Sequence, residues 1–216
     1  MIISRRDIVL GLALACAGQA AWASVAGPPA PLAPEDARDV VRIIDYLQGL
    51  TNGRGRFVQT DPRGSHTEGT FYLQRPGRAR FDYDPPSGLV IASNGHTVSV
   101  VDRRLKTIQA YPLALTPLAL FLARDIRIDR GVIISQVIRT DGQITVVAED
   151  GQRKARGRIA ISFAAAPLTL TGWAVTDARG AVVRVRLIDF ASAAPHEAAF
   201  FQLADPRLTA APDAPP

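Results

Sequence analysis

Histidine is the side chain best suited to moving a proton near neutral pH, and this chain of 216 residues has three: His66, His96 and His196. Ser65 precedes His66 and several aspartates lie nearby. The chemistry on offer would be a serine nucleophile with a histidine base, or an imidazole oriented by a carboxylate. The spacing does not support it. No serine stands in a G-x-S-x-G frame and no histidines pair as H-E-x-x-H. Ser65-His66 falls among turn residues and His96 directly follows Asn94-Gly95, so surface turns account for them. An enzyme is not expected, and no cofactor or metal is indicated. The only cysteine, Cys16, lies in an amino-terminal apolar run. Ala13 stands three residues before it, where a lipid-attachment signal usually has leucine, and the apolar stretch continues past it.

Arg75 demands chemistry of another sort. In EGTFYLQRPG (68–77), Phe71, Leu73 and Arg75 share one face by the two-residue period, while Thr70, Tyr72 and Gln74 share the other. A cation on an apolar face must find partners or stay wet. The planar guanidinium offers five donors and no acceptor. Its natural partners are backbone carbonyls left unsatisfied at helix ends or in loops. Arg75 is therefore expected at the rim of a sheet, reaching across to whatever covers it; the alternative is a surface arginine that ends a strand.

The elements that would position Arg75 follow from the same alternation. Pro76-Gly77 forces a turn, and Arg78–Tyr83 returns with Ala79, Phe81 and Tyr83 opposite Arg78, Arg80 and Asp82. Arg56–Thr60 precedes the hairpin, joined to it through the turn Asp61-Pro62-Arg63-Gly64. Leu89–Ala92 and Thr97–Val101 flank Asn94-Gly95, a strong hairpin signal, and Thr107–Tyr111 follows. Beyond residue 124 come Val132–Arg139, Ile144–Ala148, Gly157–Phe163, Leu168–Val175 and Ala181–Phe190. In the last of these Val183, Val185 and Leu187 alternate with Arg184 and Arg186. Ten or eleven short strands joined by hairpin turns need a curved sheet or barrel to hide their edges.

Two stretches carry a helical pattern instead. From Glu35, the residues Val40, Val41, Ile44, Leu47 and Leu50 make one apolar stripe with acids near its start; the helix is expected to stop between Gly49 and Gly55. In 112–124, Thr116 is placed to cap a helix whose first position is Pro117. Leu118, Phe121 and Leu122 form its buried side, while Leu113, Leu115 and Leu120 leave it apolar all round. Two helices are too few for an α/β layer and suit a cap over an opening.

Hydrophobic residues make up 47% of the chain and the formal charge is +5. The positive charge is almost all arginine, with lysine only at Lys106 and Lys154. Because arginines neighbour acids in sequence (Arg38/Asp39, Asp102/Arg103, Asp129/Arg130), a solvated surface is expected rather than a nucleic-acid interface. Residues 1–23 read as a cleaved signal peptide. Arg5-Arg6 is its positive start, Ile8–Ala17 its apolar run, and Ala21-Trp22-Ala23 its cleavage site before Ser24. Ser4-Arg5-Arg6 also fits a twin-arginine signal, so two export routes stay open. A mature chain beginning at Ser24 has no cysteine and no disulfide. Residues 24–34 form an Ala/Pro linker, 35–205 the domain, and 206–216 a flexible tail.

These pieces together resemble the periplasmic outer-membrane lipoprotein carriers, the LolA family, over roughly residues 37–205. The resemblance rests on Gly55-Arg56-Phe57-Val58-Gln59, Glu68-Gly69-Thr70-Phe71, Arg75-Pro76-Gly77-Arg78 before Phe81 and Tyr83-Asp84-Pro85-Pro86. It continues through Ser93-Asn94-Gly95, Thr116-Pro117-Leu118, and Leu170–Asp177 with Gly180. The pieces are individually weak; their order and spacing carry the likeness. A longer, proline-rich linker and an aromatic content of 6% depart from the family pattern.

The resemblance implies a mainly β fold, an unclosed antiparallel β-barrel of about 10–11 strands with a lid of α-helices. It also implies a periplasmic carrier that shuttles lipoproteins from the inner to the outer membrane. Expected partners are acylated lipoproteins and an inner-membrane lipoprotein-releasing ABC transporter, with the carrier a monomer; whether a separate outer-membrane receptor takes part stays open. On this reading Phe57, Phe71, Leu73, Phe81, Tyr83, Val98, Val100, Leu118, Phe121 and Leu122 line a hydrophobic cavity, and Arg75 gates the lid. Packing of an ordinary core is the alternative for the first ten. Relatives with the same fold include the receptor LolB and a lipoprotein-sensing stress regulator, so a sensor, a receptor or a barrel for small hydrophobic ligands stays open.

Overall fold

The computed structural model describes residues 32–124, 132–151 and 157–208. The alternating segments are strands: β1 (Asn52–Thr60), β2 (His66–Gln74), β3 (Arg78–Tyr83), β4 (Leu89–Asn94), β5 (Thr97–Asp102) and β6 (Thr107–Pro112) in the first half. The second half supplies β7 (Val132–Thr140), β8 (Gln143–Asp150), β9 (Arg158–Ala165), β10 (Leu168–Thr176) and β11 (Val182–Ala191). All neighbours pair antiparallel in one sheet of 11 strands, ordered β6-β5-β4-β3-β2-β1-β11-β10-β9-β8-β7. Each half is a meander of hairpins, and pairing of β1 with β11 joins them. The ends of the order, β6 and β7, do not pair with each other, so the sheet is unclosed, as the family resemblance implied.

Register carries the alternation across strands. Phe57 faces Leu187 on one side and Gly69 on the other, and Phe71 faces Phe81, which faces Ile91. One apolar face therefore runs continuously over the sheet. Helix α1 (Pro34–Gly49) and the short helix α2 (Leu118–Leu122) lie on it, and their apolar side chains join those of the sheet in a single core.

The outer face has a cover of its own. A 3-10 helix at Ala198–Phe201 crosses it beside β3 and β4. Phe201 is buried there, and all five residues Leu89–Ser93 of β4 are buried although they alternate in direction.

Several expectations need correction. Strand β1 begins at Asn52, four residues before the expected Arg56. Gly53 and Gly55 resemble helix stops, but they sit in the strand because Phe190 packs against them. A Cβ on Gly53 would lie 2.3 Å from the Phe190 ring, and one on Gly55 2.8 Å from its Cα. The buried stripe of α1 is Val40, Ile43 and Leu47, with Ile44 partly buried, whereas Val41 is 55% exposed. Apolar residues at both 40–41 and 43–44 leave the helix's rotation open to about one residue, and packing against β8 and β9 decides it. Thr116 is no side-chain cap: its hydroxyl donates to the carbonyl of Leu113 at 2.8 Å and ends a separate 3-10 turn, Leu113–Leu115. Asp39 pairs with Arg42 and Arg139 rather than with neighbouring Arg38. Of the expected tail only residues 206–208 are described; they form a turn, and Arg207 donates to Asp205 at 2.9 Å. The remainder of the expected tail, the signal peptide, residues 24–31 of the linker and Asp129/Arg130 lie outside the described residues.

Candidate functional site

Aromatic rings set the shape of the inner face. Phe57 meets Phe81 and Tyr83 edge-on, with ring centroids 5.5 and 5.0 Å apart. Phe71 packs against Phe81 at 4.7 Å and Trp173 at 5.1 Å. From the lid, Phe121 stacks on Trp173 at 5.6 Å. Offset and edge-on arrangements of this kind add to the area that the rings bury. All ten of the expected lining residues (Phe57, Phe71, Leu73, Phe81, Tyr83, Val98, Val100, Leu118, Phe121 and Leu122) are buried in this one cluster.

Little space is left among them. One cavity of about 40 Å³ lies beneath Leu118, between Phe81 and Trp173. A second, also about 40 Å³, lies between α1 and strands β7–β9. Each has room for about one water molecule. The protein's own side chains fill the interior, and these cavities are too small for an acyl chain.

The lid is held in two ways. Helix α1 is anchored to the second half of the sheet. Arg139 on β7 donates to Asp36 at 2.6 Å and Asp39 at 2.9 Å, and the Leu170 backbone N–H donates to the Tyr46 hydroxyl at 3.1 Å. The Tyr46 ring stands edge-on to Phe163 at 5.8 Å. The first half of the sheet reaches both helices through the tip of the β2–β3 hairpin. There Gly77 (φ 75°) donates its N–H to the carbonyl of Leu122 at 2.8 Å. A Cβ on Gly77 would come within 2.7 Å of the Gly95 Cα on the neighbouring tip, so only glycine suits both the dihedral and the contact.

Arg75 sits at this tip. Its backbone N–H donates to Thr51 at 2.7 Å. Its Nη1 donates to the carbonyl of Leu47 in the last turn of α1, and its Nη2 to the carbonyl of Ala123, which ends α2, at 2.5 Å. Carbonyls at helix C-termini are unsatisfied within the helix and carry partial negative charge, which explains why they hold a cation. One guanidinium thus ties the β2–β3 hairpin to the ends of both helices. The tie is imperfect. No carboxylate bonds to the group among the described residues, its buried Nε has no partner, and burial pushes its pKa below the usual arginine value.

The histidines do not converge on a site. His66 opens β2 with its Nδ1 3.0 Å from the Thr60 hydroxyl, and His96 is exposed in the β4–β5 turn. His196 stacks on Phe200 at 4.2 Å on the outer face. Among the described residues no three His, Cys, Asp or Glu side chains gather as a metal would require.

Trp173 and Gln59 are interior residues absent from the expected lining. Trp173 escapes the alternation because a bulge between Leu170 and Gly172 shifts the phase of β10, which lets Leu170 and Trp173 both face inward. Gln59 lies two residues after Phe57 and is buried on the same face. The two-residue period could have found it.

A family profile described as "Outer membrane lipoprotein carrier protein LolA" matches residues 48–204. Among curated proteins, an outer-membrane lipoprotein carrier protein of Cupriavidus taiwanensis is 26% identical over 153 residues, 63% of this chain and 70% of that protein. Another with the same description, from Leptothrix cholodnii, is 33% identical over 102 residues, 43% of this chain and 48% of that protein. Among solved structures, a DUF1329 family protein from Desulfovibrio piger superposes with a TM-score of 0.50 at 8% identity. It covers 78% of this chain and 96% of that one, a likeness of fold alone.

Proposed function

Since the chain belongs to the LolA family of outer membrane lipoprotein carrier proteins, we propose that it carries lipoproteins across the periplasm, taking their acyl chains between sheet and lid. The observation that carries this reading is the Arg75 tie over an apolar interior. A lipid chain cannot cross water unaided: each buried methylene is worth about 0.8 kcal/mol, so one long chain left exposed costs on the order of 10 kcal/mol. A carrier needs a dry concave surface and a way to open it, and no catalytic group. The ten buried residues from Phe57 to Leu122 supply the surface. Opening separates Arg75 from Leu47 and Ala123, and each charge-assisted bond is worth about 1.5–3 kcal/mol. Reclosure then competes with cargo, which keeps binding reversible without a nucleotide at this protein.

The partners on this reading are an acylated lipoprotein, an inner-membrane ABC transporter that releases it, and a receptor at the outer membrane. The amino-terminal pattern is consistent with export and cleavage before Ser24. Amino-terminal sequencing of the periplasmic protein tests that point, and an acylated Cys16 overturns it.

Arg75→Leu is the discriminating variant, because it keeps bulk and removes the donors. It should fold and take up lipoprotein, yet hand it on poorly, because its closed state no longer competes with the liganded one. Normal delivery to outer-membrane vesicles by this variant rules the gate out. Mass spectrometry of material copurified from the periplasm tests the cargo itself: a triacylated protein supports the carrier, and free lipid alone supports a lipid-binding barrel.

A further inference from the structure

The cavity beneath Leu118 is lined mostly by apolar side chains; Thr116, whose hydroxyl is spent on the Leu113 carbonyl, is one polar member, and Gln59 and Tyr83 meet at its edge. The Tyr83 hydroxyl donates to Gln59 Oε1 at 2.6 Å, and both residues are buried, Gln59 to 6% exposure. Burial holds the phenol neutral by pushing its pKa well up. A carboxamide and a phenol together bring three donor hydrogens, and the bond between them uses one. Two are left on the pair whichever way the amide is turned. The one hydrogen bond of the Gln59 side chain found among the described residues is the one it accepts from Tyr83, and the side chain lines the cavity. Unpaired donors in an apolar wall are costly. An interior meant only for hydrocarbon would gain by having leucine there.

The position of the pair is also informative. Gln59 lies one residue before the end of β1, and Tyr83 is the last residue of β3. Both therefore stand where the strands end, at the rim of the barrel away from the Arg75 hairpin tip. An acyl chain inserted from a rim leaves its carboxyl-derived end at that rim.

We propose that Gln59, held in place by Tyr83, is a subsite that donates to the ester carbonyl of a fatty acyl chain, and so distinguishes acyl esters from plain hydrocarbon. The inference rests on the carrier reading and adds the chemical group recognised. A carbonyl oxygen is an acceptor with no hydrogen of its own, which suits the spare carboxamide donors of Gln59. The pair is neutral, so it has no charge with which to draw an anionic headgroup. Tyr83 is a positioning residue, because it fixes the carboxamide by its oxygen.

The test compares two probes on the purified protein: a lipopeptide bearing dipalmitoyl S-glycerylcysteine, and its dihexadecyl ether counterpart, which lacks the carbonyls. The unaltered protein should bind the diester about five- to tenfold more tightly than the diether, the size expected of a buried hydrogen bond. Gln59→Met should reduce that preference to less than twofold. Tyr83→Phe should give an intermediate preference. Equal affinity of the unaltered protein for both probes overturns the subsite and leaves the carrier standing, as does a preference that survives in Gln59→Met. Binding of neither probe overturns the carrier reading, and the subsite with it. The comparison on the unaltered protein needs no variant, and thermal melting of Gln59→Met checks its fold.

Discussion

Both faces of the sheet bury aromatic rings beneath a cover, but the two covers are fastened differently. On the outer face, Phe200 meets Tyr72 edge-on at 4.9 Å and stacks on His196, while the Arg80 guanidinium lies 4.4 Å above its centroid. Every fastener there has its complement. Arg80 donates to Asp82 at 2.9 Å and to the carbonyl of Phe200 at 2.6 Å. The Gln74 carboxamide accepts from the His196 N–H at 2.8 Å and donates to its carbonyl at 3.2 Å. On the inner face, Arg75 has carbonyls but no carboxylate among the described residues, one unpaired buried donor and a pKa lowered by burial. A buried cation with a complete set of partners fastens permanently; one without is held only as long as nothing better fills the space. On the proposed reading, the outer cover is structure and the inner one the part that moves.

Substitutions can break or sharpen that contrast. The largest effect on stability should come from the outer face. Phe201→Ala empties a fully enclosed site and should cost about 3–5 kcal/mol in a denaturant melt, with lipopeptide affinity unchanged in the folded protein. Phe121→Asp puts a charge into the dry space against Trp173, a cost of several kcal/mol wherever that space stays closed to water. It should abolish cargo binding while circular dichroism still reports a folded sheet. Global unfolding would instead assign Phe121 to an ordinary core.

The two arginines give the sharpest comparison. Arg80→Met should destabilise by about 1.5–3 kcal/mol, because it strips Asp82 and the Phe200 carbonyl of a charged donor. Arg75→Leu should destabilise by less than Arg80→Met, since relief of desolvation offsets part of the two lost bonds. Equal losses would mean that the two covers are fastened alike.

The smallest effect is expected at Arg56 and Asp84, an exposed pair joined by two hydrogen bonds, one of them 3.0 Å. Arg56 holds the Asp84 carboxyl below its usual pKa. The contribution is therefore present above the unfolded value, near pH 4, and is lost as pH falls through the lower folded value. Asp84→Asn should flatten the acid side of the melting-temperature profile slightly, by no more than about 0.5 kcal/mol for an exposed pair.

Strand order along the chain, the hairpin at Asn94-Gly95 and the inward side of β2 and β3 were legible without a structure. In each case the cause is local: a two-residue period, a turn that needs glycine, a face that must be dry. Arg75 was legible for the same reason, since its place on the Phe71 and Leu73 face follows from counting by two. The sequence by itself determined which side chains share a face. Tertiary structure alone decided what each face meets. Val41 and Ile43 are equally apolar, and only packing against β8 and β9 buries one and exposes the other. Gly53 and Gly55 read as a stop until Phe190, some 135 residues on, is seen lying across them. The bulge in β10 turns Trp173 inward against the local count. The cover made by His196, Phe200 and Phe201 has no period at all, because a segment that crosses strands instead of running with them meets a surface that its neighbours in sequence do not encode.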